Sequence, residues 1–170
     1  MKKSVALLFV SSILIVSGFA SPLAATEPEH SRIEIERPWS RPTPPGTPMG
    51  VGYLAIKNHS DKEVILVGAS TSRAHHVSIH ETLMQEGVMR MQPLKNGLTI
   101  PVGEVVELKP HSYHLMLEKL TEPLKEGESI PLTLKFEEAD AITVELRVRS
   151  LDAADTEAME MDHSGHAMGD

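Results

Sequence analysis

Between Ser31 and Arg149, apolar residues recur at alternate positions, most cleanly at Ile142, Val144, Leu146 and Val148. A period of two is that of a strand with one buried face, and no stretch carries a convincing helical period. The pattern predicts strands at residues 33–35, 50–57, 64–67, 77–83, 88–93, 105–108, 113–117, 130–136 and 142–148. Short strands at this spacing, broken by turn residues, are typical of sandwiches and barrels, so the expected class is an all-β sandwich. Residues 37–48 hold five prolines, which cannot donate to a ladder, and read as an extended loop.

Both ends break the pattern. Lys2 and Lys3 precede an apolar run from Val5 to about Val16 and then small residues, the form of an export signal cleaved after Ala20 or Ala25. The run is shorter than the roughly 20 residues a membrane span needs, and no cysteine stands near either cleavage point to accept a lipid, so no stable membrane anchor is expected after cleavage. Residues 1–25 are therefore read as a signal peptide, 26–150 as one domain, and the product as periplasmic. From 151 to 170 nothing alternates and nothing could be buried, as expected of a flexible tail.

Composition narrows the chemistry. The formal charge of −8, from 16 Lys and Arg against 24 Asp and Glu, becomes −10 when Lys2 and Lys3 leave, which argues against a nucleic-acid partner. Cysteine is absent, which excludes disulfide staples, thiol redox chemistry and cysteine-ligated copper centres. Any metal must be held by His, Met or carboxylate.

Strand parity picks out such a set. Val77, Ile79 and Leu83 share one face, which turns His80 to the other. If residues 84–87 close a hairpin with Leu83 opposite Val88, His80 faces Met91 and Glu81 faces Arg90, an opposite-charge pair consistent with that register. In the strand at 113–117 the odd positions are core-like, leaving His114 and Met116 together on an outward, exposed face. Two imidazoles and two thioethers suit Cu(I) better than Zn²⁺, Mg²⁺ or Ca²⁺. That the two pairs meet is an assumption the pattern does not test. Met49 and Met89 are candidate neighbours of the site, whereas His75 and His76, adjacent in a strand, point to opposite faces and do not form a second one.

The segments 77–91 and 106–116, with Pro44-Pro45-Gly46 and the run from Gly50 to Asn58, resemble the PCu(A)C family of periplasmic copper chaperones over most of residues 31–150. The resemblance implies a cupredoxin-like Greek-key β-sandwich with surface Cu(I) at His80, Met91, His114 and Met116. It implies a delivery partner too, the copper-accepting domain of cytochrome c oxidase, together with another copper-assembly protein. The interval between Met91 and His114 is one residue longer than the family pattern, and the 95–103 loop region can absorb it.

In the tail, Met159, Met161, His163, His166 and Met168 form a second candidate metal-binding tract, able to add Cu(II) through imidazole. No nucleophile elbow, phosphate loop or His-Glu-x-x-His sequence is present, so an enzyme is not expected. The rival readings are copper buffering or acquisition without an oxidase partner, and a β-sandwich adhesion or scaffold module whose His and Met are incidental.

Overall fold

A computed structural model describes residues 32–137 and 139–150; the export segment, the cleavage points and the Met/His tail lie outside the described residues. The elements are β1 (Ile33–Ser40), β2 (Met49–Asn58), β3 (Val64–Ser70), β4 (Ala74–Gln85), β5 (Val88–Pro93), β6 (Leu98–Ile100), β7 (Val105–Leu108), β8 (Tyr113–Leu120), β9 (Ser129–Glu137) and β10 (Ile142–Val148). All hydrogen-bond into one ten-stranded ribbon of order β5-β4-β8-β7-β2-β1-β10-β9-β3-β6. The ribbon curls so that β3 packs on β4 and β2 on β6, and its two halves enclose one core. The all-β sandwich expected from the alternation is the architecture found.

The alternation works as it should in β9 and β10. Ile130, Leu132 and Leu146 are buried, and the register sets Leu146 against Ile130 and Val144 against Leu132. From the other half Val77, Ile79, Leu115 and Leu117 enter the same cluster. Leu115 and Leu117 are fully enclosed, and each such leucine stabilises the fold by about 1.5–3 kcal/mol relative to exposure.

Three local features depart from the expected pattern. β1 does not end before the prolines but continues through Pro38 to Ser40. A register shift between Glu36 and Trp39, with Arg37 at φ 47°, takes up the misfit. Beyond it, Trp39 and Ser40 run parallel to β10 while still pairing with β2, so Pro38 stands at an irregularity where no ladder donor is needed. The second departure is β6, which pairs with β3 inside the region expected to be loop. Three residues are too few for a period to declare itself.

The third is the register of the β4–β5 hairpin. Gln85 pairs with Val88, so the loop is Glu86-Gly87 alone, both at positive φ, the conformation of a tight two-residue turn. His80 therefore faces Pro93, Thr82 faces Met91, and Glu81 faces Gln92 rather than Arg90. The expected four-residue loop placed every pair two positions out. Because the side-chain period is two, that error keeps each residue on its predicted face. Met91 still shares the face of His80, diagonal to it rather than opposite.

Candidate metal centre

β4 lies between β5 and β8, and this order brings the candidate residues together. On β8, His114 pairs directly with His80, and Met116 pairs with Ser78. On β5, Met91 pairs with Thr82. His80 is thus the centre of the set, with His114 beside it and the two methionines diagonal to it on opposite flanks. Diagonal neighbours across a ladder are about 7–8 Å apart, within reach of a flexible thioether side chain. His80, His114 and Met116 form the inner group. Met91, 52% exposed, stands at the outer lip.

The expectation that all four ligands are exposed fails at His114, which is only 4% exposed. It does face away from Leu115 and the core, but β8 is an interior strand of the ribbon, with β4 on one side and β7 and β2 on the other. The β7–β8 turn closes on it as well. The Ser112 carbonyl accepts from the Thr82 N–H (3.1 Å) and hydrogen-bonds His114 Nδ1 (3.0 Å).

These contacts determine where the imidazole protons sit. A carbonyl only accepts, so His114 carries its proton on Nδ1 and presents a lone pair at Nε2. On β4, the Ser78 hydroxyl donates to Glu118 Oε1 (2.7 Å), so its oxygen accepts from His80 Nε2–H (3.0 Å). The lone pair of His80 is then at Nδ1. His80 Nδ1 and His114 Nε2 are buried and have no hydrogen-bond partner in the structure. An unsatisfied buried polar atom costs about 1–3 kcal/mol, so two on neighbouring rings call for a shared partner.

The rings stand at a distance that suits one ion. Their centroids are 5.8 Å apart, with planes inclined at 41°. A metal about 2 Å from a ring nitrogen lies about 3 Å from the ring centre, so two rings on one ion can be up to about 6 Å apart. Burial, then the neighbouring His114, hold the His80 pKa below its ordinary 6.5, against an upward pull from Glu118. The neutral imidazole is the form that ligates. Among the described residues no three His, Cys, Asp or Glu side chains group as metal ligands, and the side chains set diagonally to His80 are the thioethers of Met116 and Met91. Two imidazoles with two thioethers would suit a soft ion better than hard divalent ones.

A sequence model of the LpqE-like family matches residues 33–148, the whole of the sandwich. The chain belongs to the LpqE-like family. Among its relatives, the "Putative lipoprotein Lxx21020" of Leifsonia xyli is 31% identical over 122 residues, covering 72% of each chain. Among solved structures, that of CuI-DR1885 from Deinococcus radiodurans is 28% identical, with TM-score 0.55 over 69% of this chain and 79% of that one. The copper-bound PCuAC domain from PmoF2 shares the fold at TM-score 0.59, over 70% of this chain and 93% of that domain, with 23% identity.

In this LpqE-like chain the remaining candidates fall around the central set. Met49 pairs with Glu118, one row beyond Met116 on the same face, and is 40% exposed. Met89 pairs with Met84 farther out along the hairpin. His75 and His76 are both exposed, and His76 lies opposite Glu118. Met159, Met161, His163, His166 and Met168 lie outside the described residues. Sequence reasoning missed Ser78 and Glu118, which orient His80. Their alternate spacing with His80 and Met116 was the available signal, but it has meaning only once β4 is known to pair with β8.

Proposed function

We propose that this protein is an exported copper carrier. It takes Cu(I) at His80 Nδ1 and His114 Nε2, with Met116 and Met91 as thioether ligands, and delivers it to the copper-accepting domain of cytochrome c oxidase. The observation that carries the reading is the pair of buried ring nitrogens without partners, flanked by two methionines on one sheet face. Likeness to a Cu(I)-bound structure at 28% identity supports the choice of ion.

The geometry suits carriage. His114 is held rigidly by Ser112, while Met91 at the lip is half-exposed and flexible. Thioethers are neutral and dissociate without exchanging a proton, so a partner's ligand can replace Met91 first while both imidazoles still hold the ion. The tail residues Met159, Met161, His163, His166 and Met168 add a capture tract that takes Cu(II) as well as Cu(I), with the export segment at 1–25 placing the protein in the periplasm.

Competition titration against a Cu(I) chelator tests the site. Met116→Leu conserves volume and should weaken binding strongly while leaving thermal unfolding nearly unchanged; undiminished affinity contradicts the assignment. A transfer assay to a soluble oxidase copper domain, with and without a reductant, then tests delivery. Tight binding without transfer would mark a buffering or acquisition protein instead.

A further inference from the structure

The β4–β5 hairpin carries more methionine than the central site uses. Met84 pairs directly with Met89 next to the turn, and Met91 pairs with Thr82 one step closer to His80. In a two-residue periodicity Met84, Met89, Met91, Thr82 and His80 share one face of the hairpin. The opposite face at the same level carries Leu83, Gln85, Val88 and Arg90 and no thioether.

Burial does not account for these side chains. Met84 is 66% exposed, Met89 48% and Met91 52%. Methionine is ordinarily gap-filler in a core, and exposed strand faces favour β-branched or polar residues. β5 is an edge strand paired only with β4, and all its residues are exposed.

We propose that Met84 and Met89 form a second, weaker binding site for a soft monovalent cation, Cu(I), which passes by way of Met91 to His80 and His114. The inference rests on the copper reading of the central site. Directly opposed residues have Cβ atoms about 4.5–5.5 Å apart, so two flexible thioethers can close on one ion from either side. With two neutral ligands, no imidazole and a position on an exposed strand face, the site binds more weakly than the central one and exchanges readily. It is an entry and exit point at the tip of the hairpin that a partner would meet first. Met84 has no place in the central set, whereas Met89 stands two residues from Met91 along β5.

The test is an anaerobic Cu(I) titration of the full chain carrying ¹³C-labelled methionine methyl groups, each assigned by single substitution. The first equivalent should shift the Met91 and Met116 methyls. Beyond it, Met84 and Met89 should shift together, separately from the tail methionines. In the Met84→Leu/Met89→Leu double variant the later hairpin shifts are lost, the first-equivalent shifts remain, and copper loading from a chelator slows. Met84 and Met89 methyls that stay unmoved through excess Cu(I), or unchanged loading kinetics in the double variant, overturn the proposal. If instead Met91 and Met116 fail to respond to the first equivalent, the central reading fails. Both leucines sit at exposed positions, and the amide spectrum of the double variant verifies that the hairpin is intact.

Discussion

Ser78 and Glu118 bear on the site without being counted among its metal ligands. By fixing the proton of His80 on Nε2 they keep the Nδ1 lone pair aimed away from the hydroxyl. Such outer partners typically contribute 10–100-fold in metal affinity. Ser78→Ala and Glu118→Gln should each weaken Cu(I) binding by about tenfold, with thermal stability little changed, as read by chelator competition. Affinity equal to that of the unmodified protein would mean that the relay leaves His80 untuned. His114→Ala behaves differently because the ring is 4% exposed and hydrogen-bonded to Ser112: it removes a ligand and destabilises the fold by about 1–3 kcal/mol, seen as a lowered midpoint in urea. The sequence made the direction of His80, His114 and Met116 legible, since parity needs only neighbours along one strand. It did not reveal that His114 is buried or that Ser78 touches Glu118. Those facts depend on β4 lying beside β8, a pairing between segments far apart in the chain.

At the level of elements, the hairpin shows what local pattern can and cannot specify. A loop at residues 84–87 sets Leu83 opposite Val88 and Glu81 opposite Arg90, yet Leu83 faces Arg90 and the turn is only Glu86-Gly87. The two-residue turn at positive φ outweighed the expected Glu81–Arg90 charge pair, and each candidate ligand kept its face because the register differs by two residues. Gly87 sits at φ 79°, so Gly87→Val should destabilise the hairpin by about 1–2 kcal/mol and broaden the Met91 signal in the free protein. The short β6 and the proline-bearing end of β1 were illegible for another reason: each is held in place by its neighbours, β3 in one case and β2 with β10 in the other. Near the start of β4, Arg73 grips Glu128 through its two terminal guanidinium nitrogens, Nη1 donating to Oε2 (3.2 Å) and Nη2 to Oε1 (3.3 Å). Burial pushes the Glu128 pKa up, but the Lys125 N–H and Arg73 outweigh it and hold the carboxyl below its ordinary 4.5. Between the two values the unfolded chain binds more protons, so this contact stabilises the fold above pH 4.5 and the contribution is lost as pH falls through the folded value. Arg73→Met should therefore cost about 1 kcal/mol at pH 7 and less at pH 3, measured by urea unfolding at both. An equal cost at both pH values would remove the electrostatic explanation.

Across the whole molecule, the ribbon gathers the candidate ligands onto β5, β4 and β8 at one end of its strand order, while β9, β10 and β3 supply much of the core from the other. The proposed site therefore lies across β5, β4 and β8 and opens at an edge strand, an arrangement that would let an ion arrive and leave. Removing residues after Ala158 should abolish capture of extra copper, Cu(II) included, yet leave one tight Cu(I) site, as counted by equilibrium dialysis; unchanged stoichiometry would exclude the tail from the mechanism. Most direct for the central claim is a two-bond ¹⁵N–¹H imidazole spectrum of the full chain before and after one equivalent of Cu(I). The free protein should show His80 protonated at Nε2 and His114 at Nδ1, and the ion should shift His80 Nδ1 and His114 Nε2 while the opposite nitrogens keep their protons. A first equivalent that shifts only the tail histidines, or that leaves both of these nitrogens in place, would contradict it.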